Sequence, residues 1–205
     1  MTLGKRDRKK IAEAALALAA ERPWRDVTLA DVAAASEVPL EKFYGGGGKL
    51  AVLTEIEALF DRAAADGVKA TERDQSPRDR LFEAAMRRFD AMEAHRAGLL
   101  SIDADVAKSP AAMAFAGALR LRTVRWLMTV AGVEPRGAKA ALEIGALIRA
   151  LHNARSAWRE DVHGDLSRTM SALDRGLRDW ESGFTLFKRS GAKSGGRTEE
   201  PSSAA

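Results

Sequence analysis

The chain has 205 residues, 46% of them hydrophobic and 30% charged, with a net charge of +4 and no cysteine. Its length suits one domain of ordinary size or a large helical domain with a small appendage, and its alanine- and leucine-rich apolar share favours helix. The lack of cysteine excludes disulfides and thiolate metal sites, while a charge of +4 is compatible with nucleic acid without arguing for it.

The N-terminal stretch MTLGKRDRKK leads into an amphipathic segment and no run of eighteen apolar residues follows, so a soluble cytoplasmic protein is expected. Lys5, Arg6, Arg8, Lys9 and Lys10 form a basic arm, suited either to phosphate contacts or to a solvated, frayed terminus. Apolar residues recur at helical spacing almost everywhere, with no convincing alternating strand, which predicts an all-α fold. A first helix is predicted from Asp7 to Glu21, with Ile11, Ala14, Ala15 and Leu18 on one face, ended by Pro23 and Trp24. Thr28 and Asp31 have the spacing of a capping box that opens a short helix, LADVAAAS. After a break at Ser36 to Val38, Pro39 opens a third helix, PLEKFY, that meets four glycines.

A clear amphipathic helix follows the glycines, with Leu53, Ile56, Phe60 and Ala64 three and four apart. The loop from Asp74 to Asp79 separates a small N-terminal unit from a larger body of about five helices, starting near Arg80, Gly98, Pro110, Pro135 and Gly164. Residues 190–205 are polar and of low complexity, and are expected to be disordered.

The stretch FYGGGGKL raises the question of a phosphate-binding loop. Such a loop needs G-x-x-x-x-G-K-[ST] between a strand and a helix; here Leu50 follows Lys49, Phe43 holds the first glycine's place, and a helix leads in. A dinucleotide fingerprint fails as well, since no βαβ unit surrounds the glycines. His95, His152 and His163 lie on different elements without metal-ligand spacing, and no G-x-S-x-G elbow occurs. No catalytic residue, metal site or cofactor is therefore expected, and the chain does not read as an enzyme.

A helix, a short capped helix, a tight break and another short helix within about forty residues have the spacing of a helix-turn-helix DNA reader, or of a plain helical bundle with two short elements. The residues Trp24, Val27, Thr28, Leu29, Val32, Ala33, Ala35, Val38, Phe43, Tyr44, Lys49 and Val52 or Leu53 fall in the order of a known pattern. Over roughly the first 60 residues the chain resembles the N-terminal domain of TetR-family transcriptional regulators. The resemblance implies a three-helix helix-turn-helix unit, here residues 1–50, followed by a helical-bundle ligand and dimerisation body, residues 51–189. It implies that Thr28 and Tyr44 contact phosphates, that Lys49 lies near the DNA backbone, and that Pro39, Leu40, Glu41 and Lys42 face base edges. Glu37 stands where that family has its turn glycine, and YGGGGK lacks the aromatic that packs the recognition helix. Each glycine costs about 0.5–1 kcal/mol in a helix relative to alanine, so the third helix is expected to fray at its C-terminal end.

The body segments RDRLFEAAMRRFDAMEAHRAGL and ALDRGLRDWESGF resemble the ubiquinone-biosynthesis lipid-binding branch of the same fold, which holds an isoprenoid-like lipid and does not depend on DNA. Phe82, Met86, Phe89, Met92, Phe115, Trp126, Met128 and Leu147 are candidates to line a pocket for a small apolar effector or lipid, or to be ordinary core. The resemblance places a homodimer interface on Lys139 to Asp161 and Asp165 to Arg189. An apolar stripe at Leu173, Leu177, Trp180, Phe184 and Phe187 suits either a packing or dimer seam or a membrane surface. Two functions follow as expectations: a dimeric regulator, in the repressor sense, released from double-stranded operator DNA by its effector; or a lipid-binding accessory protein with a vestigial helix-turn-helix.

Overall fold

The computed structural model describes residues 3–66, 74–135, 137–161 and 164–193, with the side chains of residue 138 and residues 183–193 left aside. Among the described residues there are eight α-helices and no strand. They are α1 (Lys5–Glu21), α2 (Leu29–Ser36), α3 (Lys49–Ala65), α4 (Pro77–Glu93), α5 (Arg96–Val106), α6 (Pro110–Val130), α7 (Ala140–Glu160) and α8 (Ser167–Lys193). No helix among the described residues is long and apolar enough to cross a membrane.

Local chemistry explains most helix starts. Thr28 caps α2 through a full capping box, its side chain accepting from the Asp31 N–H while the Asp31 carboxylate accepts from the Thr28 N–H at 2.8 Å. Ser76 and Ser109 cap α4 and α6, each followed by a proline at the first helical position, where its missing N–H costs nothing. Two starts lie upstream of the expected ones: α4 opens at Pro77 rather than near Arg80, set by its cap and proline, and α5 opens at Arg96 rather than near Gly98, after His95 and without a side-chain cap. Two lie downstream, at Ala140 rather than Pro135 and at Ser167 rather than Gly164. Left-handed Gly137, at φ 69°, and Gly164, at φ 69°, keep those segments out of the helix. At the other end α8 runs to Lys193, past the expected boundary at Ser190; residues 194–205 lie outside the described ones.

The third helix of the N-terminal unit is much reduced. Pro39 leads into a single 3-10 turn, Leu40–Phe43, and the chain leaves helical geometry at Tyr44. Gly45, Gly47 and Gly48 then take φ of 74°, 88° and 67°, a backbone that a helix cannot continue through. The expected fraying is thus complete: no α-helical hydrogen bond forms between Pro39 and Gly48, where only turns link Lys42 N–H to Pro39 O, Tyr44 N–H to Glu41 O and Gly46 N–H to Phe43 O.

One core joins the N-terminal unit to the body. α1 packs against α2 and α3 on one side and α5 on another, so Ala12, Leu16 and Ala19 are buried as well as Ile11, Ala14 and Ala15, while Leu18 is half-buried. Gly98 makes the α1–α5 approach possible, because a Cβ there would collide with the carbonyl of Leu16. α7 and α8 form the most extensive helix pair, and Gly176 lets them close: a Cβ on it would stand 2.7 Å from that of Ala150. Leu173, Leu177 and Trp180 are buried in this chain's own core, against α4 and α7. Of the alternatives for this stripe, these three take the packing seam, within the chain, and not a membrane face or a seam between copies; Phe184 and Phe187 fall outside the described side chains.

Candidate nucleic-acid interface and effector cavity

The helix-turn-helix scaffold is held by polar contacts that also occupy much of its positive charge. Glu37 ends α2 in the left-handed region at φ 56°, the conformation the turn needs, and its carboxylate pairs with Lys10 at 2.8 Å. That ammonium holds the Glu37 carboxyl below its ordinary pKa. Lys42 reaches back to Asp7 at 2.7 Å, and Arg8 pairs with the buried Glu55 of α3 at 2.7 Å. Lys5 and Arg6 are exposed and form no hydrogen bond or ion pair with the described residues. The basic arm is thus the start of α1, with three of its five cations, Arg8, Lys9 and Lys10, in ion pairs within the chain.

Lys49 begins α3 and folds inward. Its ammonium lies 4.4 Å from the centre of the Trp24 ring and donates to the carbonyls of Trp24 and Arg25, the latter at 3.4 Å. Burial pulls its pKa down, against the opposing pull of Asp105 and Asp26. Lys49 thereby ties α3 to the turn before α2. Thr28 is exposed but engaged as a cap, while Pro39 and Glu41 are exposed on the 3-10 turn. Tyr44 is 95% exposed and Leu40 52%, and both project without partners from the short turn. The structure therefore brings Pro39, Leu40, Glu41 and Tyr44 together on one exposed segment and turns Lys42 and Lys49 toward the protein.

The body holds a partly open cavity of about 330 Å³. Five helices each contribute a stripe at three- and four-residue spacing: Leu53, Ile56 and Glu57 from α3; Ala85, Arg88 and Phe89 from α4; Leu99, Ile102, Asp103, Val106 and Ala107 around α5. α6 adds Met113, Ala116, Leu119, Arg120, Thr123, Val124 and Leu127. α7 adds Ile148, Leu151, His152, Arg155 and Arg159. Of the eight residues expected to line a pocket, Phe89 does so. Met86, Met92, Met128 and Leu147 are buried core, and Phe82 and Phe115 pack half-buried against it. Trp126 faces outward, its indole N–H donating to the Asp61 carbonyl at 2.5 Å. The expectation favoured methionine and aromatics; the wall is instead branched aliphatics mixed with arginines. The signal in the sequence was the shared stripe spacing, notably Ile148, Leu151, His152, Arg155 and Arg159, whose charges disguise it as a solvated face.

A buried polar network ties the cavity wall to α3. Arg88 donates to Asp61 at 3.1 Å and to Glu57, and the Thr123 hydroxyl donates to Asp61 at 2.9 Å. Burial raises the Asp61 pKa, outweighing the guanidinium beside it. Arg88 and Arg155 both point an N–H at the Met92 sulfur, at 3.0 and 3.6 Å. Near the other end, Arg155 and Arg159 share the single carboxylate of Asp103, each at 2.9 Å. Among the described residues no group of three or more His, Asp or Glu side chains could hold a metal ion.

Two solved structures share this arrangement of helices. A TetR transcriptional regulator from Rhodococcus sp. RHA1 superposes at a TM-score of 0.64 with 17% identity, covering 86% of this chain and 96% of that one. A tetR-family transcriptional regulator from Streptomyces coelicolor superposes at 0.54 with 18% identity, covering 87% of this chain and 83% of that one. No protein-family model matches the sequence, and no curated protein does. At these identities the likeness is one of architecture: the chain has the fold of TetR regulators.

Proposed function

We propose that the protein is a one-component transcriptional regulator of the TetR type, a repressor that binds operator DNA as a dimer and is released by an effector in the body cavity. One observation carries the reading: α3 begins directly after the glycine run that follows the recognition turn, is tied to the residues ahead of α2, and forms part of the cavity wall. Lys49 fixes its first turn to Trp24, and Leu53, Ile56 and Glu57 face the cavity. From Lys49 to Ile56 is about 10 Å of continuous helix, so a displacement of the wall is carried to the first turn of α3, which Lys49 ties to Trp24 just ahead of α2. An effector that binds better when α3 is shifted would move the population toward that state and change the separation of the two recognition turns in a dimer. Half-sites on DNA lie about 34 Å apart, so small changes of separation are felt in affinity.

The test is DNA selection from random duplexes with the purified protein, followed by titration of the best duplex across salt concentrations. A regulator enriches a two-fold-related sequence and shows affinity falling steeply with salt, as phosphate contacts release counterions. Binding that never exceeds that of random DNA, even at low salt, refutes the proposal.

A second reading has its own support in the recognition segment. A four-residue 3-10 turn offers few base-reading side chains, and the ammonium groups of Lys42 and Lys49 are held within the protein. These features suit a lipid-binding accessory protein in which the DNA unit is structural. Organic extraction of the purified protein, with an isoprenoid or quinone recovered in stoichiometric amount and no sequence-selective DNA binding, would favour it.

A further inference from the structure

The charges around the cavity do not balance. Four guanidiniums, those of Arg88, Arg120, Arg155 and Arg159, face two carboxylates, Glu57 and Asp103. Arg88 is satisfied by Glu57 together with Asp61 behind the wall, and Arg155 and Arg159 divide Asp103 between them. Arg120 and His152 have no hydrogen-bond or ion-pair partner among the described residues, yet both line the cavity and are exposed. They sit beside apolar wall: Leu119 precedes Arg120 on α6, and Ile148 and Leu151 precede His152 on α7. The wall is therefore amphipathic in the sense of its ligand, apolar along one part and rich in unmatched donors along another.

We propose that the effector is a small amphiphilic anion, an aliphatic chain carrying one carboxylate, with its chain against Ile148 and Leu151 and its carboxylate on Arg120 and His152. The inference rests on the body cavity being an effector site, as in the function proposed above. A carboxylate matches the planar fork of a guanidinium with two parallel hydrogen bonds, and these charge-assisted bonds are the strong ones. A cationic head would face the surplus of positive charge, and an uncharged head would leave it unused. The volume sets the size. At roughly 30 Å³ for each water-sized group, 330 Å³ holds about ten non-hydrogen atoms. That is an acid the size of octanoate.

Three probes of equal chain length isolate the head group: octanoate, octan-1-ol and octylammonium, titrated calorimetrically into the full-length protein at neutral pH. Octanoate is expected to bind at least about tenfold more tightly than octanol, and octylammonium more weakly than octanol. The double variant Arg120→Gln, His152→Gln should bring octanoate down to the octanol level and leave octanol unchanged. Both side chains are exposed and unpaired, so the fold should survive, and the melting temperature checks it. Raising salt should weaken octanoate alone. Octanol binding as tightly as octanoate, an equal loss of both in the double variant, or no binding of any probe overturns the inference. Anisotropy of a labelled selected duplex separates this from the regulator reading. Octanoate that binds but releases no DNA leaves the ligand class standing and removes the release mechanism; octanol that binds equally and releases DNA does the reverse.

Discussion

Alanine at two glycines, one on α5 and one on α6, should have opposite effects. At Gly98 a methyl group would collide with the backbone of Leu16 on α1, and a backbone carbonyl has no rotamer by which to move away. The helices must separate, and overpacking of this kind costs about 1–3 kcal/mol. Alanine's advantage over glycine in a helix returns about 0.5–1 kcal/mol. Gly98→Ala should therefore destabilise by up to about 2.5 kcal/mol, and near 1 kcal/mol at mid-range. Gly117 is exposed within α6, with no atom within 4 Å of where a Cβ would stand, so Gly117→Ala keeps only the gain. It should stabilise by about 0.5–1 kcal/mol. Urea denaturation at one fixed protein concentration, which holds any dimer contribution constant, gives both values. If Gly98→Ala proves as stable as Gly117→Ala, α5 does not rest on the α1 backbone and the single core joining the two parts of the chain is wrong.

Lys49→Met should lower stability by about 1 kcal/mol through loss of the carbonyl contacts and the cation–π contact to Trp24, read by the same denaturation. Tyr44→Ala should leave stability within about 0.5 kcal/mol because the side chain is almost wholly in solvent, while weakening binding to the selected duplex; unchanged DNA affinity would remove Tyr44 from the interface. Thr28→Ala should cost about 1 kcal/mol of cap. The Asp31 carboxyl, held below its ordinary pKa chiefly by the Thr28 N–H and hydroxyl, stabilises the fold above pH about 4 and loses that effect as pH falls through its lowered folded value, so the acid limb of the stability curve should be shallower in Asp31→Asn. Asp61 runs the other way. Burial raises its pKa in the fold, so its favourable contribution is present below about pH 4 and lost as pH rises through the folded value. The stability of Asp61→Asn relative to the native chain should thus improve from pH 4 toward neutrality, and a difference that stays flat would contradict the raised pKa.

The elements that could be read from the sequence are those whose physics is local. The Thr28–Asp31 box depends on residues three apart, and the structure has it, whereas Pro39 leads into a single 3-10 turn and not the expected helix. The Leu53, Ile56, Phe60 series depends on one helix facing one core, and all three are buried. What the sequence left open depended on partners distant along the chain. Leu173, Leu177 and Trp180 form a stripe whose pattern is the same whether it meets a second copy, a lipid surface or α4 and α7 of its own chain. Only the topology decides between them. Seven of the eight pocket candidates do not line the cavity, for a related reason: a buried methionine on the core side of α4 and one on the cavity side look identical in sequence, and Met92 sits on the core side with two guanidinium groups against its sulfur.

The four glycines concern both proposed functions. In a DNA reader a rigid third helix presents base contacts already in place, whereas here Leu40 to Tyr44 is one turn followed by left-handed glycines. Any base-reading conformation longer than that turn must be ordered on contact, and ordering backbone costs about 1–2 kcal/mol per residue. For four glycines this cost is drawn from the binding energy of each recognition segment, which weakens specific affinity more than the nonspecific phosphate term. The glycines also rule out the simplest repair. An aromatic at Gly47 would have to adopt φ 88°, so restoring the packing of a recognition helix requires rebuilding the whole run and not one position. Binding of one sequence only modestly better than random DNA is the behaviour this geometry predicts, and because the same glycines separate α3 from the recognition turn, an effector that moves α3 would act on the turn by way of the Lys49 contact to Trp24 and α2.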